Sequence, residues 1–147
     1  VDNSFKQKKM KELGADFAIN YEEVDFVNQG ILYDVIIDCY GARSMKKIKQ
    51  SLKQSGYYVF IGGKIRTIFA TLIASKRKST QNISVLFAKY NDEKYLKGIQ
   101  KLIETGNLHP VIDKVYNLSK LKEACYYYLK GEFFGKIVLV NDYDIKK

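Results

Sequence analysis

Apolar residues recur along the chain at two alternating spacings, which predict strands and helices in turn. Short apolar runs at residues 17–20, 35–37, 57–61 and 83–87 predict β-strands. The stretches between them carry apolar side chains three and four positions apart, as amphipathic helices do. The run at 35–37 has no polar position, which is typical of a strand covered on both faces of a parallel sheet. The alternation favours an α/β fold with a mainly parallel sheet.

Capping and helix-breaking residues set the ends of the predicted helices. Ser4 and Gln7 have the spacing of a capping box, which opens a helix that should stop at Gly14. Asp92 should cap a helix that ends at Gly106. Further helices or helical stretches are predicted at residues 22–29, 45–55, 65–73 and 119–130.

The regular alternation of predicted strands and helices changes after Gly106. Pro110 cannot donate to a ladder and fits poorly in a central strand, so residues 111–116 are predicted as an edge strand or extended arm. Ser119 should cap the last helix, Gly131 should close it, and residues 135–140 should form the final strand. We therefore place a domain boundary near residues 106–108.

The chain of 147 residues carries a net charge of +9, from 25 basic and 16 acidic residues. The basic residues are mostly lysines interleaved with acids on predicted helix surfaces, so a solvated surface explains the charge better than a nucleic-acid interface would. No apolar run approaches the ~20 residues that span a bilayer, and no signal-peptide pattern opens the sequence. We expect a cytoplasmic protein with neither nucleic acid nor membrane as a partner.

Few residues suggest a catalytic or metal-binding site. Cys39 and Cys125 each lie in an apolar segment, which predicts two reduced, buried thiols. His109 has no cysteine or histidine at ligand spacing, so the sequence indicates no metal site and a structural role for this side chain. Asp38 ends a predicted buried strand, where a carboxylate typically caps backbone amides. The catalytic residues therefore stay unknown.

Four stretches together resemble the quinone-oxidoreductase-like branch of the medium-chain dehydrogenase/reductase superfamily, which also includes the zinc-type alcohol dehydrogenases. The similarity extends from about Ser4 to Val140. The stretches are residues 13–16 with 19–21, residues 33–38 with Gly41, residues 109–113 with 115–116, and residues 135–140.

The resemblance implies a split architecture and a redox function. Residues 1–106 would be the later part of a Rossmann-type NAD(P)-binding domain, and residues 107–147 the returning segment of a GroES-like catalytic domain. The implied reaction is hydride transfer between a nicotinamide cofactor and a quinone, enone or alcohol/aldehyde. The family's glycine-rich phosphate loop has no counterpart here, and the branch generally lacks zinc. We therefore expect the isolated chain to be inactive; the alternative is a non-catalytic interaction protein derived from such a reductase.

The same resemblance implies which residues touch the cofactor. Lys6 and Tyr21 match positions that grip the 2′-phosphate of NADP, although Asp2 would instead suit the free ribose hydroxyl of NAD. NADP is the preferred cofactor, with NAD as the alternative. Contacts to the nicotinamide half are expected at the ends of three later strands, from Tyr40, Gly41, Ile61, Gly62, Gly63, Leu86 and Phe87. The competing explanations are a solvated Lys6, a packed Tyr21 and glycines that only make turns.

The resemblance also raises a topological question. A Rossmann sheet has the strand order 3-2-1-4-5-6, and this chain contains counterparts of strands three to six only. The strand at residues 17–20 should then have no native neighbour, and residues 35–38 should expose a long apolar edge. We expect self-association into a homo-oligomer, a rearranged pairing or a displaced N-terminal segment.

Overall fold

The computed structural model describes residues 1–87 and 92–141. Within these ranges the chain forms two compact units, one of residues 1–7 and 16–87 and one of residues 8–15 and 92–141. The first helix, α1 (Ser4–Glu12), has residues in both units.

The first unit is a three-stranded parallel sheet with connecting helices. Its strands are ordered β1-β2-β3 in space, and both neighbouring pairs are parallel, with Ile37 opposite Val59 and Val59 opposite Ser84. This confirms the predicted α/β fold. The elements are β1 (Tyr33–Asp38), α2 (Met45–Gln50), β2 (Leu52–Phe60), α3 (Ile65–Ser75) and β3 (Asn82–Val85).

The hydrophobic core lies on one face of this sheet, between the strands and helices α2 and α3. Tyr58 and Phe60 of β2 and Ile48 of α2 are fully buried. On the other face, Val35 and Ile37 are exposed. The prediction that residues 35–37 are covered on both faces is therefore wrong, because no described element packs against the second face.

Helix α3 turns small side chains toward the core. Its buried residues are Thr71 and Ala74, whereas Phe69 and Ile73 of its apolar stretch are exposed. Thr71 tolerates full burial because its hydroxyl donates to the Thr67 carbonyl at 2.8 Å. The helix is present where the sequence predicts an amphipathic stretch. Of its larger apolar side chains, Ile68 packs against the core, whereas Phe69 and Ile73 do not.

The helix predicted at residues 45–55 ends earlier than expected. Helix α2 stops at Gln50, and Leu52 is already the first residue of β2. The Tyr33 amide donates to the Ser51 carbonyl at 2.8 Å, so strand pairing takes over where the helical spacing still continues. Gly56 lies inside β2 rather than ending a helix, and the register with β1 is irregular between Tyr33 and Val35.

The capping box predicted for α1 is wrong by one residue. The Asn3 side chain, not that of Ser4, accepts from the Lys6 amide at 2.8 Å. Gln7 does not reach back to the cap; its side chain donates to the Ala18 carbonyl at 3.1 Å. The end of the helix is as predicted, since Gly14 adopts a φ of 99°.

Residues 17–20 form no β-strand, contrary to the prediction. They nevertheless have a neighbour. The Val1 nitrogen donates to the Ile19 carbonyl at 3.0 Å, and the Tyr21 amide donates to the Val1 carbonyl at 2.9 Å. This is the bonding pattern of one parallel bridge between Val1 and Asn20. The predicted helix at 22–29 is reduced to a 3₁₀ turn, Phe26–Asn28.

The second unit contains a two-stranded parallel sheet and two α-helices. Its elements are α4 (Glu93–Glu104), β4 (Ile112–Asn117), the 3₁₀ turn Leu118–Lys120, α5 (Leu121–Lys130) and β5 (Lys136–Val140). Strand β4 pairs only with β5 among the described strands, as expected for an edge strand. Asp92 caps α4 by accepting from the Lys94 amide at 3.1 Å, as predicted.

A second predicted helix cap, Ser119 after β4, is also wrong. The Asn117 side chain accepts from the Ser119 amide at 2.9 Å, so Asn117 rather than Ser119 opens the 3₁₀ turn that leads into α5. Gly131 ends α5 with a φ of 68°, as predicted.

Cys39 and Cys125 are both exposed, so the expected burial of the thiols is wrong. On α5 the neighbouring residue Ala124, not Cys125, is buried.

Asp113 and Tyr127 tie β4 to α5. The Tyr127 hydroxyl donates to Asp113 Oδ2 at 2.8 Å, and the Phe134 amide donates to Asp113 Oδ1 at 3.2 Å. The hydrogen bond to Asp113, with desolvation as the second cause, raises the pKa of Tyr127 to about 12. The Lys114 ammonium lies 3.7 Å from the centre of the Tyr127 ring.

The raised Tyr127 pKa predicts a loss of stability at alkaline pH. The unfolded chain ionises at an ordinary pKa of 10.0, so the contribution of this group is complete below that pH and is lost as pH rises to about 12. We expect Tyr127→Phe to flatten this part of the stability profile, measured by urea unfolding across the same pH range. Tyr126→Phe, on the exposed side of α5, is the matched control and should leave the profile unchanged. An unaltered slope in Tyr127→Phe would contradict the assignment.

No helix in the described parts of the chain is both long and apolar enough to cross a membrane.

Candidate functional site

The carboxyl ends of three parallel strands lie side by side at one edge of the first unit. The Ile61 amide donates to the Asp38 carbonyl at 2.9 Å, and the Leu86 amide donates to the Phe60 carbonyl at 2.8 Å. These bonds align the residues that follow β1, β2 and β3. The sequence-predicted contacts Tyr40, Gly41, Ile61, Gly62, Gly63, Leu86 and Phe87 are therefore brought to the same edge.

Asp38 organises the turn after β1. Its Oδ1 accepts from the amides of Tyr40 and Gly41 at 2.9 and 2.7 Å, and its Oδ2 accepts from the Tyr58 hydroxyl at 3.0 Å. Desolvation, and then the Asp38 charge, hold the pKa of Tyr58 well above its usual range. The interpretation of Asp38 as a carboxylate that caps backbone amides is confirmed.

Two of the three glycines at this edge have structural reasons to be there. Gly41 has a φ of 72°, and a Cβ on it would lie 2.8 Å from Phe60 Cε2. Gly63 has a φ of 128°, and its Cβ would collide with the Tyr40 carbonyl. Gly62 differs, because a Cβ there would meet nothing within 4 Å. Open space beside Gly62 leaves room for a ligand, whereas the other two glycines are explained by the turns alone.

The side chains at this edge are available to a ligand. Tyr40, Ile61, Leu86 and Phe87 are all exposed. The Lys64 ammonium lies 5.8 Å from the centre of the Tyr40 ring and adds a positive charge. Sequence reasoning missed Lys64; its place directly after the Gly62-Gly63 pair at a strand end was the available signal.

An open groove of about 880 Å³ runs along the outer side of β1. It connects two predicted cofactor contacts, since Tyr21 and Tyr40 both line it. Most of the lining is apolar. The other lining residues, which sequence reasoning did not single out as a site, are Val1, Phe17, Ile19, Val24, Phe26, Tyr33, Ile36, Ile37, Asp38, Ala42 and Arg43.

Lys6 is engaged by a neighbouring carboxylate. Its ammonium lies 2.8 Å from Asp2 Oδ2, and this hydrogen bond is the main cause that lowers the pKa of Asp2. The other oxygen, Asp2 Oδ1, is buried and has no hydrogen-bond partner among the described residues. Tyr21 is exposed. A ligand at this position would therefore meet the Lys6 ammonium, which already contacts the Asp2 carboxylate, and the Asp2 Oδ1 atom, which could accept a hydrogen bond from a ligand hydroxyl.

The sequence profile of the zinc-binding dehydrogenase family matches residues 13–139. The chain belongs to this family. A zinc-type alcohol dehydrogenase-like protein of Schizosaccharomyces pombe is 26% identical over 150 residues, covering 90% of this chain and 41% of that protein. A chloroplastic quinone oxidoreductase of Triphysaria versicolor is 28% identical over 134 residues, covering 88% of this chain and 40% of that protein.

Solved structures of family members share the fold. The quinone oxidoreductase of Coxiella burnetii superimposes with a TM-score of 0.68 at 27% identity, over 93% of this chain and 42% of that one. An NAD-dependent alcohol dehydrogenase superimposes with a TM-score of 0.64 at 24% identity. This dehydrogenase-family chain thus spans about 40% of the length of the curated relatives named above, and the resemblance inferred from four short stretches is confirmed.

The family name raises the question of zinc. Across residues 1–87 and 92–141, no group of three or more His, Cys, Asp or Glu side chains is placed to hold a metal ion. We therefore assign no zinc ligand among the described residues of this dehydrogenase-family chain.

Proposed function

We propose that this chain is the part of an NAD(P)H-dependent oxidoreductase that positions the cofactor for a quinone, enone, alcohol or aldehyde substrate. The alignment of the ends of β1, β2 and β3 at one edge carries the proposal, because ligands of open α/β sheets bind where parallel strands end. Quinone oxidoreductases and an alcohol dehydrogenase among the relatives support the same redox class. The bound nicotinamide would supply or accept the hydride.

The residues at this edge would bind and orient the cofactor. Gly62 leaves room for the nicotinamide ribose to approach the backbone. The exposed Ile61, Leu86 and Phe87 would shield the ring from water, and Tyr40 with Gly41 would border the ribose. In this scheme Asp38 is a positioning residue, because it holds the Tyr40–Gly41 turn through two amide hydrogen bonds.

The wider architecture is part of the same proposal. Residues 1–106 would belong to the nucleotide-binding domain and residues 107–147 to the catalytic domain of a cytoplasmic homo-oligomer. No described side chain is proposed as a proton donor. We therefore expect the isolated chain not to oxidise NADPH with a quinone acceptor at the ~10 s⁻¹ typical of intact enzymes.

The cofactor preference depends on Lys6, Asp2 and Tyr21. We propose NADP, with the Lys6 ammonium and the Tyr21 hydroxyl contacting the 2′-phosphate. The alternative, NAD, is favoured by one specific observation: the unpartnered Asp2 Oδ1 could accept from a free ribose hydroxyl. A phosphate would have to share the Lys6 ammonium with the Asp2 carboxylate, which lies 2.8 Å from it.

Titration of the purified chain with NADPH and NADH, followed by nicotinamide fluorescence, tests this preference. We expect weak binding that favours NADPH. Lys6→Gln should weaken NADPH binding about tenfold, equivalent to about 1.4 kcal/mol, and leave NADH binding within about twofold. Lys9→Gln, on the same helix and paired with Glu12, is the matched control. Tighter binding of NADH, lost in Asp2→Asn, would establish the alternative; no saturable binding of either cofactor would reject the site.

A further inference from the structure

The positive charge of the chain is concentrated around α2 and α3. Residues 39–87 contain ten lysines and arginines and no aspartate or glutamate, so the basic residues of this segment are not interleaved with acids. Carboxylates earlier in the chain neutralise part of this charge, in the pairs Arg43–Asp25, Lys47–Asp25 and Lys53–Asp34. The other cations of the segment take part in no ion pair between described residues. An anion could therefore bind them without displacing a carboxylate.

Three of these cations border one cleft between α2 and α3. The cleft has a volume of about 610 Å³. Lys46 and Lys49 line it from α2, and Arg77, two residues after the end of α3, lines it from the other side. No acidic side chain of the described residues lines it. Positive charge on both walls of a concave site raises the local concentration of anions there.

The rest of the cleft is mostly apolar. The other lining residues are Met45, Gln50, Ala70, Ile73 and Ala74. The three from α3 follow one another at three- and four-residue spacing, so they lie on one face of that helix. The two alanines leave space between the helices, and Ile73 is 58% exposed at its border. An apolar group in the cleft would therefore remove the Ile73 side chain from water.

Contacts with the rest of the first unit fix both walls of the cleft. Ile48 of α2 and Thr71 of α3 are fully buried, so each helix is held against the sheet. The Gln81 side chain donates to the carbonyls of Lys49 and Leu52 at 2.8 and 3.1 Å, which ties the end of α2 to the segment after α3. The cleft is therefore present before any ligand binds, and this limits the conformational entropy that binding would cost.

We propose that this cleft binds a small amphipathic anion from solution, with one phosphate or carboxylate group on a short apolar body. Arg77 and Lys49 would donate to the anionic oxygens, and Ile73 and Met45 would contact the apolar body. The volume accommodates one small molecule, since such sites measure about 300–1,000 Å³. None of the proposed cofactor contacts lines the cleft, so the proposal does not rest on cofactor binding or hydride transfer.

Titration of the 147-residue chain with octyl phosphate, below the concentration at which it forms micelles, tests the cleft by calorimetry. We expect saturable one-to-one binding that weakens as salt is added. Inorganic phosphate has the charge without the apolar body, and octyl glucoside has the apolar body without the charge. Each should bind about tenfold more weakly or worse, because each lacks one of the two sets of contacts. Amide chemical shifts of Lys49, Ile73 and Arg77 should change when octyl phosphate binds.

Variants at exposed positions locate the binding. Arg77→Gln should weaken octyl phosphate binding about fivefold, whereas the adjacent Lys76→Gln, outside the cleft, should change it less than about twofold. Ile73→Ser should also weaken octyl phosphate binding about fivefold without altering that of inorganic phosphate. Phe69→Ser is its matched control, because Phe69 is 61% exposed on α3 and does not line the cleft.

Four results would each overturn the proposal. These are equal losses in a variant and its control, equally tight binding of inorganic phosphate and octyl phosphate, absence of saturable binding, and binding to phosphatidylserine vesicles but not to octyl phosphate below its micelle concentration. The last result would assign the cations to a membrane surface instead of a small-molecule site.

Discussion

Truncation of Phe60 to alanine should destabilise the first unit by about 3–5 kcal/mol, the largest loss that we expect from any single substitution described here. Phe60 is fully buried at the end of β2 and belongs to the cluster that joins the sheet to α2 and α3. The ring also lies against the Gly41 and Gly63 turns, so its loss would leave a cavity beneath the proposed cofactor edge. Unfolding in urea, followed by far-ultraviolet circular dichroism, measures the effect.

A second phenylalanine provides the comparison for this experiment. Phe69 lies on the exposed side of α3, so Phe69→Ala should change the free energy of unfolding by no more than about 0.5 kcal/mol. A loss in Phe69→Ala comparable to that in Phe60→Ala would mean that the buried face of α3 is not the one described. A loss below about 1 kcal/mol in Phe60→Ala would place the core elsewhere.

Gly63→Ala should lower the free energy of unfolding by about 2–4 kcal/mol, the sum of two separate costs. The φ of 128° is a conformation that L-residues rarely adopt, and the added methyl group would meet the Tyr40 carbonyl and, at 3.2 Å, Phe60 Cζ. Relief of that clash would displace the turn after β1, so we expect weaker cofactor binding together with the lower stability.

Substitution of the adjacent Gly62 is the control that separates these two costs from the general effect of replacing a glycine. Gly62→Ala adds the same methyl group one residue earlier, where nothing lies within 4 Å. It should leave stability nearly unchanged or slightly increased, because alanine restricts the unfolded chain. If Gly62→Ala nonetheless weakens cofactor binding, close approach of the ligand at that position is supported. Equal destabilisation by the two substitutions would contradict the turn geometry.

Local patterns in the sequence were sufficient for much of the fold. The apolar residues 35–37 and 57–60 lie in parallel strands, and Asp92, Gly14, Gly106 and Gly131 act at helix ends. These features depend on near neighbours in the chain: hydrophobic periodicity, a capping carboxylate and the freedom of glycine at positive φ. The resemblance to the dehydrogenase family extended this pattern to a fold and a candidate edge for the cofactor.

The main errors occurred where a distant residue changed the local outcome. Leu52 continues a helical spacing but is a strand residue, because Ser51 bonds to Tyr33. The Gln7 side chain bonds to the Ala18 carbonyl rather than to the helix cap. The partners in the pairs Ser51–Tyr33 and Gln7–Ala18 lie too far apart in the chain to be neighbours within one helix or strand. Helix and strand propensities, which describe local segments, therefore could not predict these contacts.

The sequence alone therefore determined the α/β class, the parallel strands and the order of candidate contacts, because each follows from local periodicity or from motif order. Only the tertiary structure decided which side chains are buried and which carboxylates are engaged. Val35 and Ile37 are as apolar as Ile36, yet they are exposed, and the Asp38 carboxylate accepts from the Tyr58 hydroxyl of the neighbouring strand. Burial depends on whether another element covers a face, and that is a property of the packed chain rather than of any segment.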